Sequence, residues 1–333
     1  MEKRNVEMDF FRGIGILLMI FVHVGFGNKI YRFVHAFHMP MFFFIAGWFY
    51  KTNDLTLRDK LQKEFKKLLV PYMVFGIYYW FLDVIWNAMI NQQTLINLFF
   101  INTDELSVVG GGIWFLTAMF IATVLYFLIF KIKNELLKGA LITILSVFGA
   151  VAKMVLPYRL PWAMDAAFVG VGLMYIGHLS RVYSENKVMR FMLNLNIPYI
   201  TAFGCVVTLL IMKNGTINMR RGNYGFIAIF WINAIAAIFI GISLSKVILR
   251  ITKNTALESI ADVICRIGKN SISYLCMNQV FIFFWNNVLY SYLDENVITS
   301  IAVFLLTVCS VWIVDSVIRK NPALYFLIGG GVG

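Results

Sequence analysis

Charge is scarce in this chain. Of its 333 residues only 14% are charged, against 60% hydrophobic and 16% aromatic, and mean hydropathy is +0.77. A soluble domain carries about a quarter charged residues, so this composition excludes an ordinary soluble fold and predicts a polytopic, all-α membrane protein. Cysteine is scarce too: Cys205, Cys265, Cys276 and Cys309 are scattered, with no C-x-x-C. That spacing excludes a disulfide framework and shows no metal-ligand set, so no metal is expected. Acidic residues number 17 against 29 Lys and Arg, a net charge of +12. In a soluble protein this would suggest nucleic acid. Here the basic residues fall in short loops between apolar runs, where they set topology and meet anionic lipid, so membrane lipid and not nucleic acid is the expected partner. No cleavable signal peptide is expected either: Arg12 interrupts the first apolar run and no A-x-A-like site follows.

What is abundant is long apolar sequence. Crossing the hydrocarbon takes about 20 apolar residues. On that measure ten helices are expected, over roughly 10–27, 32–50, 68–90, 113–131, 138–157, 161–179, 196–213, 225–247, 270–291 and 297–318, forming one integral membrane domain over 1–333. Twenty-one Lys and Arg residues flank one side of these spans and six the other, which places both termini in the cytoplasm. Residues 51–67 read as an amphipathic interfacial helix. Residues 91–112, ending in Gly110–Gly112, read as an extracytoplasmic cap or lid.

Ionisable residues inside such spans are costly, and they cluster early. The stretch MDFFRGIGILLMIFVHVGFG, residues 8–27, holds Asp9, Arg12 and His23. Arg12 and His23 are eleven residues apart, so on a helix they differ by about 20° in direction and ~16 Å along the axis. Asp9, one turn before Arg12, can neutralise it. Arg12 reads as a snorkelling interfacial cation or as part of a site; His23, deep in a span, points more strongly to function. His35 and His38 follow at the start of the next span, two residues before Pro40 in the case of His38, and the short loop lets His23 and His38 approach. A buried neutral imidazole is a natural general base for a hydroxyl. His35 reads as a plain interfacial residue or as an acceptor contact, and His38 is open between packing and catalysis. Elsewhere, Lys153 and Asp165 read as a structural pair or as acceptor contacts, Asp315 as a solvated residue near the tail, and His178 as interfacial. Trp114 and the glycine run before it suit an acceptor entrance or an aromatic belt.

The pattern D-x-x-R-G-I-x-I-L-L-x-x-x-x-H at Asp9–His23 resembles the opening signature of acyltransferase family 3, integral membrane acyltransferases of bacterial surface glycans. FHMPMFFFIAGWFY is similar to that family's second-helix motif and KKLLVPYMVF to its entry to span three, with Lys66 and Lys67 at the basic positions. GGIWFLTAMF resembles its Trp-Phe-Leu fourth span and IGKNSISYLCMNQ its ninth. Five motifs thus run in order from residue 9 to about residue 280. Asn278 stands where members often carry histidine, and an amide hydrogen-bonds but does not titrate.

The resemblance implies transfer of an acyl group, most simply acetyl, from cytoplasmic acyl-CoA to a hydroxyl of a cell-surface or lipid-linked glycan, at a bacterial cytoplasmic membrane. Acyl-CoA is then a co-substrate, with no permanently bound cofactor. Arg12, Lys63, Lys66 and Lys67 would meet the CoA phosphates. His23 and His38, with Arg12 and Asp9, would form the catalytic group, and His35, Trp114 and Asn278 would contact the acceptor. The rival expectation is an exporter of polysaccharide intermediates, a class that often shows broken helices in paired repeats; the chain has no such repeat.

Overall fold

The computed structural model describes residues 5–51, 55–87, 92–103 and 110–330. It begins with α1 (Val6–Val24), α2 (Asn28–His35) and α3 (His38–Trp48). Next come α4 (Leu57–Glu64), a π turn at Phe65–Leu69, α5 (Val70–Asn87), α6 (Gln92–Phe99), α7 (Trp114–Phe130) and α8 (Glu135–Val155). The remainder forms α9 (Met164–Val182), α10 (Lys187–Met192), α11 (Ile197–Asn214), α12 (Ile227–Thr252) and α13 (Glu258–Lys269). The chain closes with α14 (Ser271–Tyr290), α15 (Val297–Ile318) and α16 (Pro322–Leu327). Among the described residues there is no strand. Six helices among the described residues are long and apolar enough to cross a membrane: Leu57–Trp86, Glu135–Val155, Pro161–Val182, Ile197–Asn214, Ile227–Thr252 and Val297–Ile318. Trp114–Phe130 is a shorter apolar helix. The protein is therefore an all-α membrane protein.

Asparagine starts many of these helices. The side chains of Asn5, Asn134, Asn186, Asn196, Asn296 and Asn321 accept from the backbone N–H groups that open α1, α8, α10, α11, α15 and α16. Such caps satisfy donors that a helix leaves unpaired at its N-terminus.

Contacts divide the chain into two compact units. The first is built from the described parts of Met1–Tyr50, Ile176–Asn218 and Tyr224–Ser271. Within it α1 packs on α13, α12 and α3, and α11 packs on α12 and α2. Glycine makes the α1–α13 crossing possible: a Cβ at Gly13 would lie 2.1 Å from the Ile264 carbonyl oxygen, and one at Gly268 would lie 1.9 Å from that of Asp9. Phe10, Ala261 and Cys265 fill the remaining contact.

The second unit is built from Lys51–Tyr175, Met219–Asn223 and Ile272–Gly333, in their described parts. Here α7 packs on α4, α5, α8 and the turn at Pro161–Ala163. Its interior holds a polar layer: Asn102 Nδ2 donates to Tyr72 Oη (3.1 Å) and Thr117 Oγ1 (2.7 Å), and Tyr72 donates to the Leu98 carbonyl. Trp162 and Ala163 both have left-handed backbones, φ 54 and 53, a conformation costing non-glycine residues about 1–3 kcal/mol each. Two bonds hold Trp162 there, from its backbone N–H to Phe100 O (2.9 Å) and from Nε1 to Phe99 O (2.8 Å).

Most expected spans correspond to helices shifted by a few residues, but residues 32–50 do not form one continuous helix. The helix breaks between α2 and α3, where Phe37 leaves helical geometry (φ −139). Pro40 is the cause, because its ring would clash with the Ala36 carbonyl four residues back. The chain restarts at His38 so that the proline falls in a first turn, where no N–H is missed. The interfacial helix is also continuous with the third span, through the π turn, over Leu57–Trp86. The expected lid is partly α6, which buries Thr94, Asn97 and Leu98; residues 91 and 104–109 of it lie outside the described residues, as do Lys3 and Arg4.

Two further expectations are corrected. Asp165 pairs with Arg159, Oδ2 to Nη2 at 3.0 Å, rather than with Lys153, which is exposed on α8. The left-handed Gly222 (φ +61) lets Arg159 in, since a Cβ there would lie 2.1 Å from its Nη1. Asp315 is not solvated: it is 3% exposed and its Oδ2 accepts from Arg319 Nε at 2.8 Å, one turn along α15.

Candidate functional site: a histidine cluster

Three of the four histidines meet in the first unit. The ring centroids of His23 and His35 are 6.0 Å apart, and those of His35 and His38 are 4.6 Å apart. Tyr31 stacks on His35 at 3.6 Å, one turn earlier on α2. The left-handed Gly25 (φ 108) ends α1 just beyond His23 and lets α2 fold back. The break at Phe37 then places His38 on α3 and His35 on α2. The cluster is therefore assembled by three helix ends. His38 is 1% exposed, and the other two rings are half-buried.

Each ring is held the same way. Nδ1 of His23 lies 2.6 Å from the Met19 carbonyl oxygen, Nδ1 of His35 lies 3.1 Å from that of Tyr31, and Nδ1 of His38 lies 2.9 Å from that of Val34. A carbonyl oxygen only accepts, so Nδ1 carries the hydrogen and the lone pair of each neutral ring is on Nε2. Three proton-accepting Nε2 atoms with a fixed tautomer suit general-base chemistry. Among the described residues no three His, Cys, Asp or Glu side chains are grouped as a metal ion would need.

Arg12 and Asp9 lie toward the other end of α1. Nη1 of Arg12 is 3.8 Å from Asp9 Oδ1, one turn away, and its guanidinium carbon is 5.8 Å from the Phe49 ring centre. Both side chains are mostly covered, 23% and 15% exposed. The histidines, Arg12 and Asp9 thus all belong to the first unit.

Lys63, Lys66, Lys67, Trp114 and Asn278 belong to the second unit. Thr56 and Asp59 cap α4 reciprocally, and Lys63 is exposed on that helix. Lys66 and Lys67 are exposed on the π turn that follows. Pro71 accounts for the turn, as it has no N–H for the Lys67 carbonyl, and the Val70 N–H bonds back to Phe65 O instead. The backbone of Gly329 approaches the same carbonyl, where a Cβ would lie 2.4 Å from it. Trp114 is 4% exposed, so it faces protein rather than forming a lipid-facing belt. Asn278 is fully buried; Nδ2 donates to the carbonyls of Tyr274 and Leu275 (2.8 Å each), while Oδ1 has no hydrogen-bond partner.

The family model for the acyltransferase domain matches residues 5–316. The chain belongs to acyltransferase family 3. This membrane acyltransferase matches no curated protein and no solved structure. The family match covers both units, and it contains every candidate residue named above.

Sequence reasoning missed several parts of this family member. Tyr31 carries a signal in hindsight, since an aromatic four residues before a histidine shares its helix face. The α13 face that meets α1 is a small-residue series, Ala261, Cys265 and Gly268, legible as a close-packing pattern. Asn102 and Thr117, buried in the second unit, carried no such signal.

Proposed function

We propose that this acyltransferase moves an acyl group, acetyl in our reading, from cytoplasmic acyl-CoA to a hydroxyl of a cell-surface or lipid-linked glycan at a bacterial cytoplasmic membrane. Ten membrane spans with both termini cytoplasmic are part of the proposal. The observation that supports it best is the histidine cluster, whose rings all keep their lone pairs on Nε2.

In this reading Nε2 of His23 takes the proton of the acceptor hydroxyl as its oxygen attacks the thioester carbonyl. The tetrahedral intermediate collapses by breaking the C–S bond, and the proton passes to the departing thiolate, giving the glycan ester and CoA thiol. His38 and His35 hold the acceptor and stabilise the imidazolium arrangement around His23. Arg12, kept in place by Asp9 and Phe49, contributes positive charge on the donor side. The exposed Lys63, Lys66 and Lys67 attract the CoA phosphates as point charges. Trp114 and Asn278 keep their proposed part in acceptor binding, the buried Asn278 Oδ1 offering an acceptor for a hydroxyl. Family membership favours this reading over export.

The test is CoA-thiol release from acetyl-CoA by purified protein, with a mixed lipid-linked glycan extract as acceptor. Acceptor-dependent release is expected, lowered about 10²–10⁴-fold in His23→Ala. Absence of release from folded wild-type protein overturns acyl transfer. Release that survives the substitution removes His23 as base.

A further inference from the structure

The helix that carries His35 and the segment it packs against hold cations and no carboxylates. Residues 24–37, from the end of α1 through α2, include Lys29 and Arg32 and neither Asp nor Glu. Residues 209–218, the end of α11 and the turn after it, include Lys213 and again no acid. Both segments belong to the first unit, where α2 packs on α11.

Arg32 joins the two. Its Nε donates to Thr216 Oγ1 at 3.1 Å, across 184 positions of sequence. Thr216 is itself fixed by the turn around it. Gly215 (φ 81) leads the chain out of α11. The buried Asn214 then ties the turn to the start of α12, with Nδ2 donating to Tyr224 O (3.3 Å) and Oδ1 accepting from the Phe226 N–H (2.8 Å). A guanidinium anchored through Nε is restrained, so less freedom is lost when its fork meets an anion. Arg32 follows Tyr31, the residue stacked on His35, and precedes His35 by about one helical turn, ~5 Å of rise.

The position of these charges requires an explanation. In the proposed topology this end is extracytoplasmic, where Lys and Arg are disfavoured in short loops. Neither Lys29 nor Arg32 has an acidic residue on its own loop to balance it.

We propose that Arg32, with Lys29 and Lys213, binds an anionic group of the acceptor, a carboxylate or a phosphate, so that the acylated hydroxyl belongs to an acidic sugar unit. The proposal rests on the acyl-transfer reading and adds the substrate class to it. Arg32 selects the acceptor, and the histidines act on its hydroxyl.

The test uses the full chain in phosphatidylcholine nanodiscs with acetyl-CoA. Acceptors are oligosaccharides from bacterial surface polysaccharide, split by anion exchange into a neutral and an acidic pool. At subsaturating acceptor we expect CoA-thiol release about tenfold faster with the acidic pool, as one charge-assisted contact gives, and a gap that narrows as salt rises. Phosphatase treatment or carboxyl methylation of the acidic pool, whichever abolishes the gap, identifies the anion. Arg32→Gln lowers the acidic-pool rate to the neutral-pool level, and Arg32→Lys restores part of the difference, which a mere folding defect would not do. Equal wild-type rates with the two pools overturn the proposal and leave acyl transfer standing. So does an Arg32→Gln effect seen only when phosphatidylglycerol replaces phosphatidylcholine, which would assign the cations to lipid headgroups. Absence of release with either pool and with the lipid-linked extract is instead the failure of acyl transfer.

Discussion

Gly268 and Asp9 touch through their backbones, with room for no side-chain atom between them: a Cβ at Gly268 would fall 1.9 Å from the Asp9 carbonyl oxygen and 2.6 Å from the Gly13 nitrogen. Neither neighbour is a flexible side chain, so neither can swing aside. Close approach of this kind lets helices pack by dispersion where lipid offers no hydrophobic driving force. Gly268→Ala is expected to destabilise the protein by about 1–3 kcal/mol, read as a lower Tm in detergent. Gly204→Ala, with nothing within 4 Å of the added atom, is the control and should leave Tm unchanged or raised.

The stacking of Tyr31 on His35 yields a second expectation. Tyr31→Phe keeps the ring and should leave kcat near wild type. Tyr31→Ala removes a pair worth about 0.5–1.5 kcal/mol, which corresponds to a several-fold loss of kcat if His35 positions the acceptor. Steady-state kinetics of the two variants decide it. Equal activity of both would leave His35 a packing residue.

The lysines of the π turn should act on donor binding and little else. Lys66→Gln combined with Lys67→Gln is expected to raise KM for acetyl-CoA several-fold, with kcat nearly unchanged, since a contact made equally in ground and transition states affects binding alone. The effect should shrink in high salt, because these side chains are exposed and screened. An unchanged KM would remove them from the donor site.

Arg159 and Asp165 supply a stability prediction. Asp165 is 2% exposed, so Arg159→Leu takes one ion-pair partner from a buried carboxylate and should cost up to about 3–5 kcal/mol. Arg159→Leu with Asp165→Leu should cost less than the single change, as both charges are then gone. Thermal unfolding of the three proteins tests this; a double variant worse than the single one would contradict it.

Much of this architecture could be read from sequence because length and hydropathy dominate in a bilayer. The helices at Glu135–Val155 and Val297–Ile318 differ from their expected bounds by three residues at most. The histidines were also legible, as a buried ionisable group is rare enough to stand out one residue at a time. What sequence hid depends on partners. The break before His38 comes from the competition between Pro40 and an otherwise unbroken apolar run, and hydropathy does not register it. Lys153 seemed a natural partner of Asp165 because the two flank a short turn, but Arg159 reaches it through a turn opened by Gly222. The helix α13, with Glu258, Asp262, Arg266 and Lys269, is too polar to look like part of a membrane core, yet its Ala261–Gly268 face is what α1 packs against.

The first unit is made of separated stretches of chain, and this has a consequence for biosynthesis. The three clustered histidines lie within the first 50 residues, yet α1 is covered by α12 and α13, which end at Thr252 and Lys269. During translation α1, α2 and α3 must therefore be made long before α12 and α13, the helices that pack against α1, exist. For α3, eleven residues long, the length is ~16 Å, about half the hydrocarbon thickness. The nascent protein has to keep this stretch without its final packing partners until the ribosome has passed residue 269. Truncation before α12 should accordingly yield no partially active intermediate, only a chain marked for degradation.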